Sequence, residues 1–130
     1  MKYAPNIAGG LLGLLFITFG MMFFLNMMPQ QEPPPEGSAP ALFMGAFYPT
    51  GYLHFVKFFE VLGGILVAFP KTRNFGLLVL GPIIINIIAF HVFITKGAGI
   101  FEAPFIIPVI AALALFLLWS GRKAFGGLLN

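Results

Sequence analysis

The sequence predicts an all-α membrane protein, a bundle of four apolar helices with a short interfacial helix in the first outer loop. Hydrophobic residues make up 59% of the 130 residues and charged residues only 8%, whereas a soluble domain carries about 25% charged residues. Four apolar runs approach the length of about 20 residues that a bilayer-spanning helix needs, and most basic residues lie at their ends. Four such spans use up the chain, which is therefore predicted to be one transmembrane domain over residues 1–130.

The chain contains no cysteine and carries a formal net charge of +3. Without cysteine it provides no disulfide, thiolate metal site or iron–sulfur ligand. In a soluble protein the positive charge would suggest nucleic acid as a partner, but here most basic residues flank apolar runs, where anionic lipid headgroups are their partners. We therefore expect contact with the bilayer, no nucleic-acid binding, no metal site and no soluble catalytic domain.

The first span is predicted at about 7–28. It contains no charged residue and exceeds the roughly 7 to 15 apolar residues of a secretory signal, so we interpret it as a retained helix. Asn6 is its predicted N-cap. Gly9, Gly13 and Gly20 fall within about 40° of one another on a helix, which predicts a face for close packing against a neighbouring helix.

The first outer loop is predicted at about 29–50. It begins Pro-Gln-Gln-Glu-Pro-Pro-Pro-Glu-Gly-Ser-Ala-Pro, and repeated prolines remove backbone donors and restrict the residues that precede them. We expect an extended aqueous segment there. The apolar stretch at 41–48 is too short to span the bilayer, so it is predicted to form a short helix or turn in the membrane interface.

The second span is predicted at about 51–69, capped by Thr50 and closed by Pro70. The adjacent Gly63 and Gly64 would let a neighbouring helix approach closely. A short basic hairpin, Pro-Lys-Thr-Arg-Asn, follows the span. Because this hairpin is short, the second and third spans are expected to be antiparallel neighbours.

The third span is predicted at about 75–94, with a bend at Pro82. A polar break separates it from the fourth span, which is predicted at about 102–120. Pro104 fits the first turn of that helix, and Trp119 marks a membrane interface.

Lys and Arg residues are distributed unequally between the two predicted sides of the membrane. An excess of these residues marks cytoplasmic loops. We therefore expect a multi-pass protein of the inner (plasma) membrane with both termini in the cytoplasm and the acidic, proline-rich loop outside. Lys96 is alone on the outer side, and the inner side holds Lys2, Lys71, Arg73, Arg122 and Lys123.

Five polar residues fall within the second and third spans. Ionisable side chains at the centre of a transmembrane helix cost about 2.5–3.5 kcal/mol and usually face the bundle interior. With a rise of about 1.5 Å per residue from the inner hairpin, these residues form two layers. The lower layer holds Glu60, Lys57 and Asn86 at about 15, 20 and 18 Å. The upper layer holds His54 and His91 at about 24 and 26 Å.

Each of these residues has a structural and a functional interpretation. Lys57 either extends to the outer interface or pairs with Glu60 three residues later. Glu60 serves this pairing or handles a ligand or a proton. Asn86 is expected to form an interhelical hydrogen bond that holds the bundle together. His91 lies at the outer interface or shares a haem or another cofactor with His54, although haem is disfavoured because the short hairpin would have to splay apart.

Two segments on either side of the basic hairpin carry a family resemblance. They read Phe-Phe-Glu-Val-Leu-Gly-Gly-Ile-Leu at 58–66 and Gly-Pro-Ile-Ile-Ile-Asn-Ile-Ile-Ala-Phe-His at 81–91. Together with Phe-Gly at 19–20, Thr-Gly-Tyr-Leu at 50–53 and the final apolar helix, they resemble the DoxX-like family of small integral membrane proteins. The resemblance covers most of the chain. The proline-rich stretch departs from the family by its greater length.

The resemblance implies a four-helix inner-membrane bundle and association with a membrane oxidoreductase assembly, because the family is named after a small subunit of a quinone-linked oxidase. The cluster of Glu60, Asn86 and His91 has no nucleophile and no metal set. This favours a non-catalytic subunit or binding module, in a larger membrane protein complex or a homo-oligomer, whose cluster stabilises the bundle and holds a quinone or a lipid. The alternatives are a transporter or proton pathway along Glu60, Lys57 and His54, a bis-histidine haem protein, and a membrane enzyme, for which no catalytic signature is recognised.

Overall fold

The computed structural model describes residues 3–28, 32–98, 100–101 and 105–129. All regular secondary structure within these residues is helical, as the sequence predicts. The predictions for Lys2, for residues 29–31 of the loop, and for the start of the fourth span at 102–104 lie outside the described residues. The helices are α1 (Ala4–Phe24), α2 (Ala39–Phe47), α3 (Tyr52–Ala68), α4 (Arg73–Ala89), which continues into a π turn (Phe90–Ile94), α5 (Ile106–Ser120) and α6 (Arg122–Gly126).

The helix α1 begins and ends earlier than predicted. Its N-cap is Tyr3 and not Asn6, so the predicted cap is wrong. Pro5 lies in the first turn, where its missing N–H removes no hydrogen bond. The helix ends at Phe24 because Asn26 adopts a φ of 56°, a left-handed conformation that is typical of helix ends.

A short helix, α2, forms in the loop where one is predicted. The Ser38 hydroxyl accepts a hydrogen bond from the Ala41 backbone N at 3.4 Å, which caps the helix. Thr50 Oγ1 donates to the Ala46 carbonyl at 2.7 Å and so closes α2. The N-cap of α3 is Gly51 and not Thr50, so the predicted cap is wrong. The axes of α2 and α3 differ by 82°.

Close approach of α1 and α3 depends on glycine. A Cβ atom on Gly13 would lie 2.5 Å from the carbonyl oxygen of Gly64, and one on Gly20 would collide with the Val61 side chain. Gly9 faces the end of α3 and the guanidinium of the first residue of α4. The glycine face of α1 therefore lies against α3.

The helix α4 packs on α3, and α5 packs on α1 and α4, so that α1, α3, α4 and α5 surround one core. On α3, Gly63 faces Leu80 of α4, where a Cβ atom would lie 2.6 Å from Leu80 Cγ. Pro82 lies inside α4. The buried apolar residues in the described part of the chain are Ala8, Leu12, Phe16, Val67, Leu77, Leu80, Ile84, Ile110 and Leu117.

Two helices are long and apolar enough to cross a membrane, Ala4–Phe24 and Arg73–Ile94, the second of which includes the π turn. A third candidate arises when α2 and α3 count together as one bent span, and Ile106–Ser120 is apolar but shorter. The described residues thus contain two or three candidate spans, which indicates a membrane protein.

Candidate functional site

A cavity of about 1170 Å³ opens between α2, α3, the C-terminal half of α4 and the π turn, with the end of α1 at its edge. Small-molecule pockets typically measure about 300–1,000 Å³, so this space is large enough for a lipid-sized molecule. Its walls are mainly apolar and rich in aromatic residues, which are Phe23, Phe43, Phe47, Tyr48, Tyr52, Phe90 and Phe93.

The short helix α2 forms one wall of the cavity. The ring centroid of Phe43 lies 4.7 Å from that of Phe90 in the π turn, and the ring of Phe47 lies 4.6 Å from that of Tyr52 at the start of α3. These separations are within the usual range for aromatic pairs. Ring contacts therefore connect α2 to both neighbouring walls.

On α3, the polar part of the wall is an ion pair. Lys57 Nζ lies 3.3 Å from Glu60 Oε2, which is the i, i+3 pairing considered from the sequence. Glu60 is only 5% exposed. Lys57 Nζ also lies 5.8 Å from the ring centroid of Phe23 on α1, a cation–π contact. The Lys57 ammonium is therefore held at the cavity wall by two partners.

On α4 and the π turn, the polar part of the wall consists of Asn86 and His91. Asn86 Nδ2 donates to the Pro82 carbonyl at 2.7 Å, so the expected interhelical hydrogen bond is replaced by one within α4. His91 Nδ1 lies 2.9 Å from the carbonyl oxygen of Ile87. Both side chains line the cavity with Lys57 and Glu60.

The structure does not bring His54 to the cavity. Its ring centroid lies 4.9 Å from that of Phe23 and 6.2 Å from that of Phe24 on α1, and 5.5 Å from that of Tyr48. His54 therefore packs among rings on the α1 side of α3, whereas His91 lines the cavity. The two histidines of the predicted upper layer lie in different surroundings.

Arg73, which from the sequence contributes only to the predicted orientation, connects three helices. It is 8% exposed. Its guanidinium donates to the Val67 carbonyl at 3.0 Å, to the Ala68 carbonyl at 3.4 Å and to Asn6 Oδ1 at 3.0 Å. Gly9 leaves room for it. We call this set of hydrogen bonds the Arg73 bridge; it joins α4, the end of α3 and the start of α1.

The chemistry of the cavity is that of binding by shape and a few hydrogen bonds. Its polar side chains are an ion pair, two amides, an imidazole and two phenols, set in apolar walls rich in aromatic rings. Within the described ranges, no group of three or more His, Cys, Asp or Glu residues is arranged to hold a metal ion. These side chains can orient the polar end of a ligand whose remainder is apolar.

Comparisons with known proteins give one distant relative. No family model matches the chain, and no solved structure matches it. The chain is similar to the uncharacterized protein YwoB of Bacillus subtilis, with 26% identity over 124 residues that cover 88% of this chain and 77% of the relative. The resemblance to DoxX-like proteins therefore stays a prediction from the sequence.

Proposed function

We propose that this chain is a non-catalytic binding module of a quinone-linked membrane redox assembly and holds a lipophilic ligand, a quinone or a lipid, in the cavity beside α2. The observation that carries the proposal is a lipid-sized cavity with aromatic walls and a few polar groups on α3 and α4. Apolar walls with a few polar groups that fix orientation are typical of small-molecule sites. The link to a redox assembly depends on the DoxX-like resemblance.

We further propose four spans in the inner membrane with both termini in the cytoplasm. The start of α1 and the α3–α4 hairpin lie together, because Arg73 bonds to Asn6. The end of α5 joins them, because a Cβ atom on Gly121 would lie 2.7 Å from Asn74 Oδ1. The basic residues of the hairpin and of α6 therefore share one end of the bundle, which supports an inner, positively charged side.

The lengths of α3 and α5 are compatible with this arrangement. They have 17 and 15 residues, or about 26 and 23 Å at 1.5 Å per residue. A bilayer accommodates spans somewhat shorter than its hydrocarbon thickness of about 30 Å by local thinning. In this arrangement α2, nearly perpendicular to α3, lies along the outer interface.

Labelling of single cysteines tests the orientation, and the absence of native cysteine makes each label unambiguous. In right-side-out vesicles, a membrane-impermeant maleimide is expected to modify Glu36→Cys and Ala98→Cys directly. It should modify Leu129→Cys only after the vesicles are permeabilised. Equal labelling of Glu36→Cys and Leu129→Cys from the outside would contradict the proposed topology.

Ala89 and Ala112 form a matched pair for testing ligand binding. Ala89 lines the cavity, whereas Ala112 is exposed on α5. Because an indole would fill part of the cavity, Ala89→Trp is expected to weaken the binding of decylubiquinone in nanodiscs by about tenfold, or ~1.4 kcal/mol. Ala112→Trp should leave binding unchanged. The measurement is equilibrium binding corrected for partition into empty nanodiscs, and equal effects of the two substitutions would contradict a site in this cavity.

The alternative of a transport pathway finds less support in the geometry. Of its three residues, Lys57 and Glu60 form a pair and His54 lies among rings outside the cavity. These residues therefore do not form a continuous polar path. Flux in proteoliposomes that Glu60→Gln abolishes, from protein that carries no quinone and no redox partner, would favour transport instead.

A further inference from the structure

His91 lines the cavity, and one of its two ring nitrogens is engaged by the protein. Its Nδ1 lies 2.9 Å from the Ile87 carbonyl oxygen, which can only accept, so Nδ1 carries the proton and Nε2 of the neutral ring is an acceptor. The two nitrogens lie on different sides of the ring, which directs Nε2 away from the helix backbone. No donor from the described part of the chain bonds to Nε2.

The π turn holds His91 in this position. Thr95 N donates to the Phe90 carbonyl at 3.1 Å, five residues earlier in the chain. Thr95 Oγ1 donates to the carbonyl of His91 itself at 2.9 Å. Single π turns occur frequently at functional sites in helices. The backbone is thus fixed by Thr95 and the ring by Ile87, so the direction of Nε2 is set before a ligand binds.

The other polar groups of the cavity are paired with each other or can act both as donors and as acceptors. The Lys57 ammonium is neutralised by Glu60 at 3.3 Å. Tyr48 and Tyr52 carry hydroxyls that donate or accept. After its hydrogen bond within α4, the Asn86 side chain still has its carbonyl oxygen and one N–H, so it can also accept or donate. Among the uncharged polar groups that line the cavity, His91 Nε2 is therefore the one that can only accept.

We infer that the cavity selects lipophiles whose polar end donates a hydrogen bond, such as alkylphenols, over lipophiles of the same shape whose polar end only accepts. This inference rests on the proposed ligand-binding function and deepens it, because, of a quinone and its reduced quinol, only the quinol carries the hydroxyl that donates. A hydroxyl donates to His91 Nε2, whereas an ether leaves this nitrogen without a partner, and an unpaired acceptor away from water is unfavourable. A ring-bearing ligand also fits the aromatic walls, because aromatic rings pair favourably.

Binding of para-nonylphenol and of its methyl ether, para-nonylanisole, tests the inference, because the hydroxyl hydrogen of the first is a methyl group in the second. Binding to the protein in nanodiscs is measured at mildly alkaline pH and corrected with empty nanodiscs, which accounts for partition into lipid. The phenol is expected to bind about five- to tenfold more tightly than the ether, the effect of one buried hydrogen bond.

Three substitutions assign the preference to His91. His91→Phe keeps an aromatic ring without the acceptor, so it should weaken phenol binding and leave ether binding within about twofold, which removes the preference. His91→Gln supplies an accepting oxygen and should keep part of it. His54→Phe is the matched control, because His54 does not line the cavity, and it should keep the full preference.

The outcomes separate this inference from the function on which it rests. Equal binding of the phenol and the ether, or a preference that survives in His91→Phe, would overturn the inference while ligand binding stands. If neither nonyl compound nor decylubiquinone binds above the level of empty nanodiscs, the proposed function fails and the inference fails with it.

Discussion

Gly13→Ala is expected to lower the free energy of unfolding by ~3 kcal/mol. This is a large fraction of the total, because folded proteins are typically stable by about 5–15 kcal/mol. The added methyl group would lie 2.5 Å from the Gly64 carbonyl oxygen and 2.9 Å from Ala68 Cβ. A backbone oxygen cannot rotate away as the end of a flexible side chain can, so α1 and α3 would have to separate. Their separation would loosen the contacts of Leu12 and Phe16 in the core.

Gly10 on the same helix provides the matched control. A Cβ atom at this position meets nothing within 4 Å. Gly10→Ala should therefore leave the stability unchanged or raise it by about 0.5–1 kcal/mol through its better helix propensity. Both free energies of unfolding can be measured by titration with SDS in mixed micelles, followed by the fluorescence of Trp119 and by circular dichroism. Equal losses for the two variants would contradict the close contact between α1 and α3.

Helical periodicity predicts the face of α1 that packs closely but not its neighbour. Gly9, Gly13 and Gly20 of α1 share one arc of the helix, and they lie against α3. Which residues they meet depends on tertiary register. Gly13 approaches Gly64, whereas the adjacent Gly63 faces Leu80 on α4. Adjacent glycines thus serve two different interfaces, which spacing alone does not reveal.

Helix ends follow from hydrophobicity less directly, because hydrophobicity reports depth in a membrane and not backbone conformation. The chain stays largely apolar through Met28, yet α1 ends at Phe24 because Asn26 is left-handed. At the other end, Pro5 in the first turn is a better marker of the start of α1 than the side chain of Asn6. Local dihedral preferences, and not apolar length, therefore determine where α1 begins and ends.

Axial depth predicts most of the polar residues that line the cavity, but it gives no direction around the helix. Lys57, Glu60, Asn86 and His91 line the same space. His54, at nearly the same predicted depth as His91, lies against rings from α1 and from the end of the loop instead. The α1 rings are distant from His54 in the sequence, so spacing within α3 does not predict them as its partners.

The Arg73 bridge is the structural feature that the sequence does not reveal. The position of Arg73 in a basic hairpin predicts only a cytoplasmic charge. The last carbonyls of a helix lack partners within the helix and carry partial negative charge, and the Arg73 guanidinium satisfies those of Val67 and Ala68. Its third acceptor, on Asn6, is 67 residues away in the chain, so only the packed bundle brings the two together.

Arg73→Ala is therefore expected to lower the free energy of unfolding by ~3 kcal/mol, because hydrogen bonds to charged groups contribute about 1.5–3 kcal/mol each. Arg73→Lys should recover only part of this loss, since an ammonium lacks the planar fork of a guanidinium. Lys71→Ala is the matched control: it removes the same charge from the same hairpin at an exposed position, and its effect should stay within about 0.5 kcal/mol.

This comparison separates the bridge from orientation, because Lys71 and Arg73 add equally to the positive charge of the proposed cytoplasmic side. If charge alone mattered, both alanine variants would have the same stability and the same labelling pattern at Leu129→Cys. The bridge requires a loss of stability at Arg73 alone. It also requires that Arg73→Ala and Asn6→Ala couple by ~1 kcal/mol in a double-mutant cycle, since each substitution removes the same hydrogen bond. Strictly additive effects would contradict a direct connection between α1 and α4.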